Sequence, residues 1–500
     1  MAFVNSIVSF FSAGRMSEIN RYATEGDIIQ NRQFDKLIER GLETKFGAQY
    51  SFSSIKTYDD FSQRVPVRDY VAYSSYIERM LNGESDVCWP GQVKWFAKSS
   101  GTTDAKSKFI PVTQAALEEC HYRGAKDAVI AYVTQHPETQ MLGGKCLTLG
   151  GSKEISKIND DIQTGDLSAI LIGNSPFWSN FIKTPDKEIA LLAKWEEKLV
   201  KITQSTVNEN VTSLAGVPSW FLILLKHILK VTGKSNLQEV WPNLELFMHG
   251  GINFSPYREQ YKALCPQGIN FLETYNASEG FFGIQVDETQ NMQLMLDYGI
   301  FYEFIPLSEI GNPFPKAYTI SDVEVGIDYA MVISTNGGLW RYMIGDTVRF
   351  TSVVPPRIII SGRTKHYINA FGEELMVDNA EKALENACAK TGAVIREYTA
   401  APVFMDIKNQ GCHQWLIEFV KAPESIDDFS KQLDEGLRSV NSDYDAKRYK
   451  DITLAPPILT IARKDLFFDW MKEQGKLGGQ NKVPRLANNR EYIDQLLKLN

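Results

Sequence analysis

Phe96-Ala-Lys-Ser-Ser-Gly-Thr-Thr103, continued by Asp104-Ala-Lys-Ser-Lys108 and Phe109-Ile-Pro111, is the stretch on which the reading of this chain turns. Its apolar lead, from Val93 to Ala97, predicts a strand, and the small, hydroxyl-rich, basic segment behind it predicts a loop at the strand's end. Loops of that make-up wrap phosphates. Ser and Thr hydroxyls and unhindered backbone N–H groups donate to several oxygens, Gly101 permits close approach, and a lysine adds neutralising charge. It is not a Walker loop, because Gly101-Thr-Thr-Asp-Ala-Lys106 lacks the second glycine of that motif. The same composition suits an ordinary polar loop with solvated lysines equally well.

Outward from that loop, short apolar runs alternate with helical stretches. Helices are expected at 114–135 and 187–203, and strands at 167–172, 244–248 and 271–275. Such alternation predicts an α/β sheet. Trp220-Phe-Leu-Ile-Leu-Leu225 begins after Pro218 and stops at Lys226, well short of the ~18–20 apolar residues that cross a bilayer, so it predicts a buried helix starting near Pro218. The first eighty residues read as helical, with Phe34, Leu37, Ile38 and Leu42 on one face. The apolar run Phe3–Phe11 lacks the basic residues that should precede an export signal, and an N-terminal helix is expected there.

Beyond Met292 the pattern becomes strand-rich, with Gly and Pro turns, which suits an antiparallel or barrel-like subdomain. A boundary is expected near Ser361-Gly-Arg-Thr-Lys365. The division is therefore a large body over 1–361, a hinge at 362–366 and a smaller, mobile α+β lid over 367–500. Five hundred residues exceed one core's usual size, in keeping with that division. The 53 Lys and Arg against 61 Asp and Glu give a net charge of −8, which argues against a grip on nucleic acid or on an anionic membrane. Small-molecule partners are expected, and a monomer suffices. The six cysteines form no Cys-x-x-Cys pair, which predicts reduced thiols in the cytoplasm, and no His-Glu-x-x-His helix marks a zinc site.

Two further segments could carry chemistry. Thr274-Tyr-Asn-Ala-Ser-Glu-Gly280 closes an apolar strand, and in open α/β sheets ligands collect beyond the strands' carboxyl ends. An aromatic, a hydroxyl and a carboxylate there could meet base, substrate and Mg²⁺, although such loops are also ordinary turns. Leu339-Trp-Arg-Tyr-Met-Ile-Gly-Asp346 ends in an aspartate suited to accept both hydroxyls of a ribose, or merely to cap a turn.

The three segments, in this order, resemble those of the adenylate-forming superfamily of acyl-CoA synthetases, luciferases and peptide-synthetase adenylation domains. Within it the chain is similar to the Gretchen Hagen three family of acyl-acid amido synthetases. The narrower likeness rests on Phe96–Thr103 with Lys108–Pro111, Val217-Pro-Ser-Trp220, Phe301-Tyr-Glu-Phe-Ile-Pro306, Trp340–Asp346 and Asn481-Lys-Val-Pro-Arg485.

The resemblance implies the adenylate-forming fold and an ATP- and Mg²⁺-dependent ligase. Ser99, Ser100, Gly101, Thr102 and Thr103 would hold the ATP phosphates, assisted by Lys106 or Lys108. Tyr275 would lie along the adenine, Ser278 would support the α-phosphate, and Glu279 would take Mg²⁺. Asp346 would grip the ribose, with Arg363 approaching it from the hinge, where Lys365 replaces an aspartate common among relatives. Lys482, on a glycine-bearing loop, would neutralise charge at the α-phosphate, or is a solvated lysine. Arg123 could pair with the substrate carboxylate, or is a plain helix arginine. Trp220 and His249 would wall the acyl pocket, or simply fill core. The implied reaction makes acyl-adenylate and then an amide, with an amino acid as the acceptor. The alternatives are an acyl-CoA ligase and a nucleotide-binding paralogue without turnover.

Overall fold

A computed structural model describes residues 12–99, 108–149, 156–157, 161–175, 179, 181–192, 194–252, 254, 257–310, 312, 315–364, 367–405, 410–448, 453–474 and 483–500. Ser100–Thr103, Lys106, Lys365 and Lys482, all singled out above, lie outside the described residues, as does the run Phe3–Phe11.

The strands Lys183–Thr184, Lys145–Thr148, Val211–Gly216, Leu246–His249 and Asn270–Ala277 lie side by side, all parallel. Their runs of buried apolar residues are what a sheet covered on both faces requires. At Asn270–Ala277 the character changes. Its other neighbour, Gly280–Ile284, is antiparallel, and Met292–Leu294, Pro356–Arg363, Tyr342–Val353, Asp328–Thr335 and Ile300–Pro306 continue antiparallel to the far edge. The strand-rich stretch expected beyond Met292 is thus antiparallel and continuous with the parallel strands in a single sheet of eleven. The strand Asn270–Ala277 is the seam between the two halves, so its end carries whatever binds at the change of topology.

Helices cover the sheet where the sequence supplies apolar faces. Pro218–Thr232 starts with proline in its first turn and ends on Gly233 in the left-handed region at φ 67°, burying Phe221, Leu222, Leu224, Leu225 and Ile228. Tyr22–Gly41 buries Phe34, Leu37 and Ile38, with Phe34 packed on Phe61 and Phe301 at 5.3 and 5.1 Å between ring centres. Leu42, expected on that face, is 46% exposed. The expected strand at 167–172 is instead the helix Leu167–Gly173, since a short apolar run fits either element and only packing decides. The expected helix at 187–203 divides into Lys187–Ala190 and Trp195–Thr206.

A second, four-stranded sheet holds the hairpin Trp95–Ser99 and Lys108–Val112, with Ser99 opposite Lys108, so the hydroxyl-rich segment connects two paired strands. Past residue 366, Val394–Val403, Cys412–Lys421 and Ile458–Ile461 make a separate three-stranded sheet flanked by Val377–Thr391 and Ile426–Val440. This C-terminal region shares a buried apolar cluster with the parallel half of the large sheet, Phe371 and Trp415 joining Phe221 and Phe247. Polar contacts add to the seam: the Tyr257 hydroxyl donates to the Ala370 carbonyl at 2.8 Å, and the Gln260 side-chain amide to the Met405 carbonyl at 2.7 Å.

Candidate active site

Ser278 and Glu279 are the two turn residues between Asn270–Ala277 and Gly280–Ile284, with Ala277 and Gly280 paired across the turn. The seam of the sheet therefore ends in a tight turn bearing a hydroxyl and a carboxylate. Gly250, on the neighbouring loop, lies so close to this strand that a Cβ would sit 2.5 Å from the Thr274 carbonyl oxygen. Only glycine fits there.

Across the antiparallel half, Asp346 and Arg363 are cross-strand partners. Arg363 Nε donates to Asp346 Oδ1 at 2.7 Å, and the Tyr275 hydroxyl donates to Oδ2 at 2.7 Å, so both oxygens of Asp346 are held. Arg363 also lies 3.7 Å from Glu374 and 4.7 Å from the centre of the Tyr367 ring. Burial opposes the charge on Arg363, but Asp346 and then Glu374 overcome it and hold its pKa well above the ordinary value. Burial, followed by Asp346, likewise lifts the Tyr275 phenol well above its usual range, which keeps it a donor. Tyr275 is 4% exposed and packs edge-on against Phe282, so the structure makes it the support of Asp346, with little ring face left open for a base.

Glu279 belongs to the same cluster. Burial pushes its carboxyl up to about 7; Lys108 opposes the rise, Asp346 adds to it and Arg363 reduces it. Lys108 answers in kind, lowered by burial and supported by Glu279 and Asp346. Glu279, Asp346, Arg363 and Lys108, from three distant segments, thus converge on one place. A half-buried carboxylate beside a cation is a hard oxygen ligand once ionised, which is the donor Mg²⁺ takes. Among the described residues no group of three or more His, Cys, Asp or Glu side chains could hold a metal.

Beside the cluster lies a cavity of about 1140 Å³, lined by Ser278, Asn276, Thr274, Trp220, His249 and Lys98 among others. His249 is 2% exposed, with neither ring nitrogen hydrogen-bonded among the described residues, and its ring stacks on Phe254 at 3.9 Å. Burial, then Arg258, lowers its pKa to about 3, so it stays neutral and serves as apolar wall. Arg123 turns away from the cavity. Its guanidinium meets Asp297 at 2.7 Å, beside Arg15 on the same carboxylate, and this network ties the N-terminal helices to the sheet. Ser99 ends its strand next to the hydroxyl-rich segment.

Two lining residues had no sequence signal. Lys447, on the helix Ser442–Arg448, reaches the cavity from the C-terminal region and places its ammonium 4.4 Å from the centre of the Trp220 ring. Lys198, on the helix Trp195–Thr206, is 3% exposed and faces the same space. Glu374, at φ 38° in the left-handed region, could have been suspected only from Gly372-Glu-Glu374 beside the hinge. Conversely, the motif residues Arg341 and Glu303 are structural: a buried pair at 2.7 Å, with Arg341 also donating to the Ser62 and Val65 carbonyls.

The fold is that of the adenylate-forming ligases. A solved 2-hydroxyisobutyryl-CoA ligase in its thioesterification state superposes with a TM-score of 0.56 at 13% identity, covering 94% of this chain and 91% of that one. An acyl acid amido synthetase structure, GH3.15, gives 0.61 at 18% identity over 97% and 95%. The chain belongs to the GH3 family, whose N-terminal domain matches residues 15–269, central domain 293–363 and C-terminal domain 378–491. Two similar curated proteins come from Arabidopsis thaliana. The indole-3-acetic acid-amido synthetase GH3.3 is 22% identical, with 92% of this chain and 89% of that one covered. The 4-substituted benzoates-glutamate ligase GH3.12 is also 22% identical, covering 94% of each. No helix among the described residues is long and apolar enough to cross a membrane.

Proposed function

We propose that this chain activates a carboxylic acid with ATP and passes the acyl group to an amine, an amino acid in the family's pattern, releasing AMP. The observation that carries the reading is the meeting of Glu279, Asp346, Arg363 and Lys108 beside a cavity walled by Trp220 and His249.

In the first half-reaction a carboxylate oxygen of the acid bonds to the α-phosphorus while the bond to pyrophosphate breaks. The bond chemistry belongs to ATP, and the protein positions and neutralises. Asp346 accepts from the ribose hydroxyls, steadied by Tyr275 and flanked by Arg363. The segment Ser99–Thr103, with Lys108, would hold the phosphates, and Ser278 would border the α-phosphate. Glu279 would hold Mg²⁺, which supplies charge neutralisation along the phosphates. In the second half-reaction the amine nitrogen attacks the acyl carbon, the bond to AMP breaks, and the amine's proton leaves to solvent. Lys482 would act at the α-phosphate in the first step, and turning about 362–366 would admit the acceptor for the second. Lys447 over Trp220 makes the C-terminal region a wall of the acyl cavity, so its position governs access. The free cysteines, Cys88, Cys120 and Cys265 among them buried, agree with a cytoplasmic setting.

The test is exchange of labelled pyrophosphate into ATP with a panel of carboxylic acids. Exchange with some acids, followed by AMP release that needs an amino acid, is expected. Exchange with none overturns the reading, and AMP release that needs coenzyme A instead reassigns the second step.

A further inference from the structure

Arg363 meets the aspartate assigned to the ribose with only part of its guanidinium. Its Nε donates to Asp346 Oδ1 at 2.7 Å, while Nη1 lies 3.7 Å from Glu374 Oε2, and no second hydrogen bond joins Arg363 to Asp346. An ionised carboxylate has about four acceptor sites, divided between its oxygens. At Asp346 a site on Oδ1 goes to Arg363 and a site on Oδ2 to the Tyr275 hydroxyl, which leaves one on each oxygen for a ribose hydroxyl. Arginine and carboxylate frequently pair through two parallel bonds. Were Arg363 to do so, its second prong would take the open site on Oδ2, and one hydroxyl would lose its acceptor.

The group that draws the guanidinium the other way comes from a turn past residue 366. The strands Tyr367–Ile368 and Leu375–Met376 pair antiparallel, and residues 369–374 join them. Glu374 stands in that turn at φ 38°, a conformation that non-glycine residues keep only where their surroundings impose it. The Asn369 side-chain oxygen accepts from the Glu374 N–H at 3.3 Å, and the Asn441 side-chain amide donates to the Glu374 carbonyl at 3.2 Å.

Glu373 fixes the same turn from inside. Its fully buried carboxylate accepts from the Ala370 N–H at 3.2 Å and the Phe371 N–H at 2.7 Å, and it meets His413 Nε2 at 2.8 Å. With a carboxylate oxygen facing it, Nε2 is the nitrogen that carries a proton and donates. His413 is equally buried, on the strand Cys412–Lys421, so it ties Glu373 to the three-stranded sheet. A buried carboxylate is costly unless donors surround it. Without His413 only backbone donors of the turn itself remain to this one among the described residues, and the turn is no longer held at the residue next to Glu374.

We propose that His413, Glu373 and Glu374 are positioning residues for the nucleotide: the buried pair fixes the turn, the turn holds Glu374 against Arg363, and Glu374 keeps the guanidinium's second prong off Asp346, so that both ribose hydroxyls find an acceptor. This rests on the ribose assignment above and extends the site to residues that touch no nucleotide.

The test is the ratio of the Kd of 2′,3′-dideoxy-ATP to the Kd of ATP, each with Mg²⁺, by isothermal titration of the full chain. Base, phosphates and metal are common to both nucleotides, so the ratio reads the ribose hydroxyls and the charge lost in a variant cancels. In wild type it should be about tenfold or more. In Glu374→Gln and in His413→Leu it should fall by about threefold or more, and the two changes together should lower it no further than one alone. His413→Gln, which keeps a donor for Glu373, should retain the wild-type ratio. Should His413→Leu fail to fold, Glu374→Gln, at a half-buried position, decides the matter. A ratio unchanged in either folded variant, a further fall in the double variant, or a ratio lost in His413→Gln overturns the proposal and leaves the ribose assignment standing. A ratio near one in wild type removes the ribose assignment and this proposal with it.

Discussion

Replacing Asp346 by Asn keeps the side chain's shape and removes its charge. In the wild type both carboxylate oxygens are engaged, one by Arg363 Nε at 2.7 Å and one by the Tyr275 hydroxyl at 2.7 Å. Nucleotide binding asks those oxygens to accept from ribose hydroxyls. Hydrogen bonds to a charged acceptor contribute about 1.5–3 kcal/mol against about 0.5–1.5 for neutral pairs. Two hydroxyls therefore lose about 2 kcal/mol between them, which at about 1.4 kcal/mol per decade weakens ATP binding about 30-fold. The free protein loses less, because Arg363 keeps Glu374 3.7 Å away and both members of the pair are partly exposed, at 17% and 13%. A stability loss of about 1–2 kcal/mol is expected, a fraction of what breaking a fully buried pair costs. Isothermal titration with ATP and Mg²⁺, run well below the melting temperature of each protein, measures the binding term separately. An ATP Kd within twofold of wild type in a folded variant would refute the ribose assignment.

Three more outcomes follow from the same geometry. Because burial raises the Glu279 carboxyl to about 7, its ionised share increases up to about tenfold between pH 6 and pH 8. Mg²⁺ dependence of adenylation should tighten over that range in wild type and stay flat in Glu279→Gln; parallel curves would remove Glu279 from the metal. Arg341→Met leaves the buried Glu303 carboxylate without its counter-ion, with the Tyr58 hydroxyl still donating to it at 2.8 Å, and should cost about 3 kcal/mol, seen as a clear drop in thermal midpoint; an unchanged midpoint would contradict the structural role given to this pair. Arg123→Ala should leave KM for the acid within about twofold of wild type, since Asp297 holds the guanidinium outside the cavity; a tenfold rise would place Arg123 back on the substrate.

How much of this was legible in the sequence depends on whether the signal was local. Pro218 announced its helix, and the apolar face of Phe34, Leu37 and Ile38 was real, because periodicity and proline act within a few residues. Leu167–Gly173 misled, since seven apolar-leaning residues contain too little period to separate helix from strand. Val394–Val403 escaped notice because it begins exposed at a sheet edge and carries Arg396, Glu397 and Pro402, residues that read as loop. At the site, Ser278 and Glu279 could be named because they form a turn closed by Gly280, and Asp346 because it follows Gly345, although it lies within the strand Tyr342–Val353. Lys447 and Lys198 could not, because nothing near them in sequence reports which cavity a helix face will line. Arg123 lies on the expected helix, and the partner that takes its guanidinium, Asp297, stands 174 residues away, beyond the reach of local spacing.

One measurement bears on the whole account: a crystal structure of the chain with Mg²⁺ and a non-hydrolysable ATP analogue. The ribose hydroxyls should lie within hydrogen-bonding distance of Asp346, with the metal bridging phosphate oxygens and Glu279. A nucleotide bound elsewhere, or one that reaches Asp346 while the metal sits away from Glu279, would contradict the claim that these segments converge on a single molecule.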